Sequence, residues 1–208
     1  MTPGRLITLE GGEGSGKSTQ ASNLVDFLRS QGIEAVLTRE PGGVPLAERI
    51  RDLILNTRPA ASTAEFLLFA AARAEHIAEL IKPVIELGQW VVCDRYIDST
   101  RVYQGELSSI PSELISAVET HTVAPYFPDL TLMLDLNPAI GRERALMRGD
   151  TNRYDQAEAQ VHETIRQGFL DIAAREPDRC VVIDASEGEA EIAGQINRVV
   201  ARRFGLSG

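Results

Sequence analysis

The sequence contains few cysteines, few aromatic residues and no long hydrophobic run. Its only cysteines, Cys93 and Cys180, lie in apolar runs typical of buried strands, and neither has metal-ligand spacing to a second residue. Reduced thiols are therefore expected. No run reaches the roughly 18 apolar residues that cross a bilayer, and the first residues lack the pattern of a secretory signal. We expect a soluble cytoplasmic protein with no membrane partner.

Basic residues are also scarce. Lysine and arginine number 21 against 30 aspartates and glutamates, which gives a net charge of -9. This charge disfavours a nucleic acid polymer as partner, so anionic ligands must be bound by local groups of arginines. A chain of 208 residues that is 43% hydrophobic, without repeats or a long linker, predicts one domain over residues 1–208.

Short β-rich runs alternate with long helical patterns. This alternation predicts an α/β fold, with a five-stranded parallel sheet between two layers of helices. Ligands of such sheets bind beyond the carboxyl ends of the strands. The predicted strands cover residues 6–10, 35–38, 90–94, 130–136 and 180–184. The longest helical pattern has its apolar residues at Leu67, Leu68, Ala71, Ala78, Ile81 and Ile85.

A glycine-rich segment follows the first strand: Gly11-Gly12-Glu13-Gly14-Ser15-Gly16-Lys17-Ser18-Thr19. It matches G-x-x-x-x-G-K-[ST] between a strand and a helix, which predicts a phosphate-binding loop (P-loop) for ATP. Backbone N–H groups would surround the phosphates at a helix N-terminus. Lys17 would reach the β- and γ-phosphates, and the Ser18 hydroxyl would bind Mg²⁺. The alternative is a glycine-rich turn that binds nothing.

A carboxylate and an arginine follow the third strand. Asp94 has the position of an aspartate that holds the hydrated metal beside a phosphate loop. Arg95 has a guanidinium suited to bidentate phosphate binding, although a structural salt bridge is the alternative.

Three further groups have both functional and structural interpretations. The segment 39–43, Arg-Glu-Pro-Gly-Gly, either exposes a carboxylate to the cleft or is only a turn. Phe69 and Arg73 share a helix face and could bind a base, or they could be a core phenylalanine and a solvated arginine. The segment 99–105 offers hydroxyls, an amide and a ring, or it is a polar loop.

The irregular segment 147–155 is predicted to be a short mobile lid. Arginines in and before it could fold over the transferring phosphates and exclude water, although most are expected to face solvent. They are Arg142, Arg144, Arg148 and Arg153.

The order of these motifs resembles that of bacterial thymidylate kinases over nearly the whole chain. The loop alone indicates only P-loop proteins, whereas Thr38-Arg39-Glu40-Pro41-Gly42-Gly43 together with Asp94-Arg95-Tyr96 is specific to this family. The resemblance implies a P-loop kinase that uses ATP and Mg²⁺ to phosphorylate dTMP to dTDP in dTTP biosynthesis. It also implies a homodimer, and the apolar residues within 46–55 and 64–80 fit such an interface.

The resemblance also implies roles for individual residues. Phe69 would stack on thymine, and Arg73 and Gln104 would address its polar edge. Arg95 would hold the 5′-phosphate, and Tyr103 would crowd the 2′ position of the sugar. The residues implied to line the same acceptor pocket are Glu13, Glu40, Arg51 and Ser99.

Family members keep a catalytic arginine either in the phosphate loop or on the lid. Gly14 occupies the loop position here, so the resemblance assigns this role to Arg148 or Arg153. The segment 184–186 looks like the family's adenine-contacting loop. Two departures are the segment 106–109, Glu-Leu-Ser-Ser, where relatives carry an arginine and a glycine, and Arg101, which replaces a smaller or neutral residue.

The resulting hypothesis is direct in-line transfer from ATP to a phosphate oxygen, with Lys17, Mg²⁺ and a lid arginine stabilising the charge. An ionised phosphate acceptor needs no general base. His76, His121 and His162 lie outside the motifs and are interpreted as structural or surface residues. Two alternatives remain: a kinase for another monophosphate or a deoxynucleoside, and a nucleotide-dependent switch that recruits a partner protein.

Overall fold

Five parallel strands form the centre of the structure, as the recurrence of apolar runs predicts. The computed structural model describes residues 4–57, 61–148 and 159–206, without the side chains of Leu146 and Arg148. The strand order is β2-β3-β1-β4-β5, and each neighbouring pair is parallel. The fourth strand ends at Asp135, one residue before its predicted end at residue 136. The strands are β1 Leu6–Gly11, β2 Ala35–Arg39, β3 Trp90–Asp94, β4 Leu130–Asp135 and β5 Cys180–Asp184.

Helices connect the strands and cover both faces of the sheet. The α-helices of the described part are α1 Lys17–Ser30, α2 Pro45–Asn56, α3 Ser62–His76, α4 Lys82–Glu86, α5 Ile97–Thr100, α6 Ser112–Thr122, α7 Pro138–Arg148, α8 Ala159–Arg175 and α9 Glu189–Phe204. A π-helical segment, Ile77–Ile81, joins α3 to α4, and a second one, Arg101–Leu107, continues α5. None of the helices in the described ranges is long and apolar enough to cross a membrane.

Alternating strand residues build two cores. On one face, Ile7, Leu9 and Val92 pack with apolar residues of α1 and α9. On the other face, Leu6 and Val91 pack against the first π-helical segment, while β4 and β5 contribute to a cluster with α8. Successive side chains of a strand point to opposite faces, so strands that are apolar throughout require helices on both sides. The predicted three-layer arrangement is confirmed.

The apolar pattern of the long helical region only partly describes its buried face. Leu67 is 50% exposed, and Ala71 and Ala78 are also exposed. The buried stripe of α3 instead runs through Phe66, which packs on Ile115 of α6 and on Ile110 just before that helix. The helix thus packs through a stripe adjacent to the one that periodicity favours, and its leucine-bearing side is left uncovered in the single chain.

Candidate active site

A cleft of about 490 Å³ opens at the carboxyl ends of β1, β2 and β3. It is bordered by the end of the phosphate loop, by the turns after β2 and β3, and by α2 and α3. All the residues expected on the acceptor side border this one cleft: Glu13, Glu40, Arg51, Phe69, Arg73, Arg95, Ser99, Tyr103 and Gln104. The loop contributes Gly14, Gly16, Lys17, Ser18 and Thr19 to the same space.

The phosphate loop connects β1 to α1 with the conformation that its glycines permit. Gly14 and Gly16 have φ values of 70° and 87°, in the left-handed region that side chains disfavour. Gly16 is the N-cap of α1, so the first N–H groups of that helix lie at the cleft. Ser15 lies between Gly14 and Gly16, and its hydroxyl donates to the carbonyl of Gly12 at 2.9 Å.

Lys17 is buried and its ammonium is held inside the loop. Nζ donates to the Gly12 carbonyl at 2.6 Å and to Ser15 Oγ at 3.2 Å. Burial and the nearby charge of Arg95 lower the pKa of Lys17 to about 8, against the opposing effect of Glu13 and other carboxylates. A nearby phosphate would stabilise the charged form, so this lysine is suited to an anionic ligand.

The aspartate after β3 faces the loop serine. Ser18 Oγ donates to Asp94 Oδ2 at 2.5 Å, while the buried Asp94 Oδ1 has no hydrogen-bond partner among the described residues. A buried carboxylate oxygen without a partner is costly unless a ligand satisfies it. An oxygen pair of this kind fits a hydrated Mg²⁺, which takes few protein ligands and keeps several waters.

Arg95 has a left-handed backbone conformation, with φ at 71°, and its guanidinium lies in the cleft. Nη1 donates to the Gly11 carbonyl at 3.2 Å and to Ser99 Oγ at 3.1 Å, and Nη2 donates to Glu13 Oε1 at 2.7 Å. Despite burial, Glu13 and other neighbouring acidic groups raise the pKa of Arg95. The arginine therefore has a salt-bridge partner, but that partner also borders the cleft.

The Glu13 carboxylate is shared by two cleft residues. Tyr103 donates its hydroxyl to Glu13 Oε1 at 2.9 Å, and the Arg95 guanidinium lies 5.4 Å from the Tyr103 ring centre. Burial alone would raise the pKa of Glu13, but Arg95 and Lys17 outweigh it and lower the pKa to about 2. Burial raises the pKa of Tyr103 well above its usual value, so its hydroxyl stays protonated.

Arg73 is buried rather than solvated. Its Nε donates to Glu40 Oε2 at 2.6 Å, and Nη2 donates to the Tyr96 carbonyl at 3.1 Å. His76 lies behind this pair, with Nδ1 at 3.0 Å from Glu40 Oε1 and Nε2 at 2.7 Å from Thr38 Oγ1. His76 is fully buried and does not border the cleft, so it supports Glu40 from behind, in agreement with its interpretation as a structural residue.

The remaining acceptor-side residues differ in how they are held. Arg51 donates to the carbonyl of Pro41 at 2.8 Å, which ties α2 to the turn after β2. Phe69 is partly buried and borders the cleft. The buried Gln104 Nε2 has no hydrogen-bond partner in the described ranges, so it is a donor available to a ligand.

Some cleft and support residues were not predicted individually. Arg39 and Thr100, which belong to the candidate segments 39–43 and 99–105, border the cleft, and so does Leu55, which lies outside any predicted group. Leu55 lies four residues after Arg51 on the same helix face, so its position beside the cleft could have been predicted from that spacing. Glu10, fully buried behind the cleft, was also not singled out, although a charged residue at the end of a strand that is otherwise mostly apolar is itself a signal.

Arg101 belongs to a separate ion cluster. It donates to Glu119 at 3.0 and 2.8 Å, to Glu176 at 2.7 Å and to the fully buried Asp98 at 3.3 Å. Arg179 binds both oxygens of Asp98 from the opposite side, at 2.7 and 3.0 Å. Arg101 thus links the second π-helical segment to α6 and to Glu176, the residue directly after α8.

The predicted lid is described only at its start. Arg142 is exposed, and Arg144 donates to the carbonyls of Ala185 and Ser186 at 3.0 and 3.4 Å, so α7 contacts the segment after β5. Arg148 is the last residue of α7, but its side chain lies outside the described part. Arg153 and residues 149–155 of the lid also lie outside it.

Comparison with known proteins gives consistent matches over nearly the whole chain. A family model described as thymidylate kinase matches residues 9–196. Thymidylate kinase of Caulobacter vibrioides is 46% identical over 208 residues, which cover 99% of this chain and 100% of that protein. Thymidylate kinase of Deinococcus radiodurans is 42% identical, with 98% and 99% covered.

A solved structure agrees with these matches. The crystal structure of thymidylate kinase from Ehrlichia chaffeensis superimposes with a TM-score of 0.79 at 32% sequence identity. The alignment covers 95% of this chain and 100% of that one.

Proposed function

Because the chain belongs to the thymidylate kinase family, we propose that it transfers the γ-phosphoryl group of ATP to the 5′-phosphate of dTMP. The bond between the γ-phosphorus and the β–γ bridging oxygen breaks, and a phosphate oxygen of dTMP bonds to that phosphorus, so the products are ADP and dTDP. This reaction supplies dTTP biosynthesis. The observation that carries the proposal is one cleft in which a phosphate loop faces an arginine-lined pocket.

On the donor side, the loop N–H groups and the start of α1 would bind the phosphates of ATP. The Lys17 ammonium, now bound to Gly12 and Ser15, would turn to the β- and γ-phosphates. Ser18 and Asp94 would hold Mg²⁺, and the partnerless Asp94 Oδ1 supports this assignment. When bound, Mg²⁺ neutralises charge on the phosphates.

On the acceptor side, Arg95 would hold the 5′-phosphate of dTMP in competition with Glu13. Phe69 would stack on thymine, while Arg73 and Gln104 would address the polar edge of the base. The partnerless Nε2 of Gln104 supports that role, because a buried donor without a partner is costly. Tyr103 would crowd the 2′ position. The pocket is completed by residues that position its ligand-binding groups. Glu40 binds Arg73, Ser99 binds Arg95, and Arg51 binds the carbonyl of Pro41.

The catalytic arginine is proposed to come from the lid, as Arg148 or Arg153. A Cβ at Gly14 would lie 2.0 Å from the Gly141 carbonyl oxygen of α7, so the loop has no room for an arginine there. If a lid arginine stabilises the transferring group, Arg148→Ala or Arg153→Ala should lower turnover by about 10³-fold or more. Unchanged turnover in both variants would exclude the lid assignment.

We also propose a homodimer that works in the cytoplasm, where ATP and dTMP are available. Leu46, Leu53 and Leu67 are 48%, 51% and 50% exposed, and α2 and α3 pack side by side. Exposed leucines on adjoining helices are typical of an interface between copies. A dimer predicts that Leu53→Glu with Leu67→Glu gives a folded monomer in sedimentation velocity, whereas Leu87→Glu, on another surface, does not.

The reaction is tested by ADP release with Mg·ATP and, in turn, dTMP, dUMP, dCMP, dAMP, dGMP or thymidine. We expect strong stimulation by dTMP, weaker stimulation by dUMP and loss of both in Arg95→Ala. A preference for another acceptor would identify a different kinase. Slow hydrolysis without acceptor phosphorylation would favour the nucleotide-dependent switch. Chelation of Mg²⁺ should abolish turnover, and Asp94→Asn should raise the Mg²⁺ requirement by about 10- to 100-fold.

A further inference from the structure

Glu10 is a fully buried carboxylate next to the cleft that the proposed reaction does not use. It lies near the end of β1, one residue before the phosphate loop begins, and it does not border the cleft. A buried carboxylate without a role in binding or packing is costly, so its contacts indicate what it does.

Both oxygens of Glu10 bind the turn that follows Arg95. Oε1 accepts the N–H groups of Tyr96 and Ser99 at 2.7 and 3.2 Å, and Oε2 accepts the Ser99 hydroxyl at 2.6 Å. Tyr96 directly follows Arg95, and Ser99 lies four residues after it; the φ of 71° at Arg95 is rare for a residue with a side chain. Such a conformation persists only where surrounding contacts enforce it, and Glu10 provides three of them.

Glu10 also determines the direction in which the Ser99 hydroxyl donates its hydrogen bond. When Glu10 is ionised, the Ser99 hydroxyl hydrogen is donated to it, so the lone pairs of Ser99 Oγ remain for Arg95 Nη1, at 3.1 Å. Glu10 therefore acts on Arg95 in two ways, through the backbone turn and through the hydroxyl that holds the guanidinium.

We propose that Glu10 is a positioning residue that fixes the left-handed turn and the guanidinium of Arg95 for the 5′-phosphate of the acceptor nucleotide. The inference rests on the proposed function. Glu10 contacts no substrate itself, and its effect on the acceptor passes through Arg95 and Ser99.

The experiment measures the dissociation constants of dTMP and ADP by titration calorimetry for the intact protein and its variants. Glu10→Gln keeps the size of the side chain but places an N–H₂ donor against Ser99 Oγ or the backbone N–H groups. We expect dTMP affinity to fall about tenfold or more, and ADP affinity to change less than twofold, because misplacement of a binding group penalises only the ligand that it holds.

The double variant separates positioning from general damage. In an Arg95→Ala background, Glu10→Gln should weaken dTMP binding less than twofold further, since residues acting through one group are not additive. Ser99→Ala, which keeps the two backbone contacts, should show a smaller loss with the same non-additivity. Glu119→Gln alters another buried carboxylate, in the Arg101 cluster; it is the matched control and should leave dTMP affinity unchanged.

Equal loss of dTMP and ADP affinity in Glu10→Gln, or additive losses with Arg95→Ala, would overturn the proposal. Should Glu10→Gln fail to fold, as judged by circular dichroism, Glu10→Asp, which shortens the side chain and so draws the carboxylate away from Tyr96 and Ser99, gives the same comparison alone and in the Arg95→Ala background. Absence of dTMP binding to the unaltered protein would instead count against the proposed function, so the two failures are distinguishable.

Discussion

The Arg95 guanidinium and the Glu13 carboxylate lie 2.7 Å apart within the cleft, and Tyr103 donates to the same carboxylate oxygen. This arrangement holds Arg95 in one orientation before any phosphate arrives. In the proposed complex, a phosphate bound to Arg95 would compete with Glu13, whose carboxylate also borders the pocket. The proposal therefore predicts that the fixed shape of the guanidinium contributes to acceptor binding as well as its charge.

Arg95→Lys should raise KM for dTMP by about 10- to 100-fold, which corresponds to one lost charge-assisted hydrogen bond or somewhat more. A lysine ammonium cannot contact Gly11, Ser99 and a phosphate with the fixed geometry of a guanidinium. Steady-state kinetics with dTMP varied at saturating ATP give the value. Arg39→Lys, at the exposed rim of the cleft, is the control, with an expected change below twofold. An unaltered KM in Arg95→Lys would mean that charge alone suffices.

The ring and the hydroxyl of Tyr103 should have separable effects on specificity. Tyr103→Phe removes the hydroxyl, with its bond to Glu13, but keeps the ring, and it should retain discrimination between dTMP and its ribose counterpart. Tyr103→Ala opens space at the proposed 2′ position and should reduce that discrimination about tenfold or more. The ratio of kcat/KM values for the two acceptors measures this. Equal ratios in the alanine variant and the unaltered protein would show that the ring does not select the sugar.

Much of the fold follows from local sequence patterns. The five apolar runs predict the strands to within about one residue, because strands covered on both faces are mostly apolar. The glycine-rich loop, Asp94 and Arg95 could be placed at one edge because parallel strands end together there. The cleft does bring these motifs together.

Other features depend on contacts that no local pattern encodes. The left-handed turn at Arg95 requires Glu10, which lies 85 positions earlier in the chain. The π-helical form of residues 101–107 and the partners of Arg101 come from packing among helices. The buried position of His76 depends on the turn after β2 folding over α3. Tertiary structure decides such features, and spacing along the chain does not reveal them.

Arg101→Met should lower the free energy of unfolding by about 3 kcal/mol, at the low end for breaking a buried ion pair. The substitution leaves Glu119 without its bidentate partner, while Asp98 keeps Arg179. Urea denaturation measures the change. Arg166→Met removes a more exposed pair with Asp135, so we expect a loss of at most about 1 kcal/mol. Similar losses in the two variants would contradict a special role of the Arg101 cluster.

Glu10 should make stability depend on pH in a way that Glu10→Gln does not. Burial, followed by the charge of Asp98, raises the pKa of Glu10 to about 7, against the opposing effects of Ser99 and Arg95. The unfolded chain releases this proton near its ordinary pKa of 4.5, whereas the folded protein keeps it until about pH 7. The folded state binds more protons between these values, so the stabilising contribution is complete below pH 4.5 and is lost as pH rises through 7.

Urea unfolding of the unaltered protein and of Glu10→Gln at several pH values between 4.5 and 8 tests this sign. The stability of the unaltered protein relative to the variant should decline with rising pH, by at most on the order of 3 kcal/mol, and level off above pH 7. Glu13→Gln is the control, because the pKa of Glu13 is lowered to about 2 and its contribution is lost only in stronger acid. The difference in unfolding free energy between Glu13→Gln and the unaltered protein should therefore not change from pH 6 to 8. A flat difference for Glu10→Gln as well would mean that Glu10 is ionised throughout this range, so that the three donors around it outweigh burial.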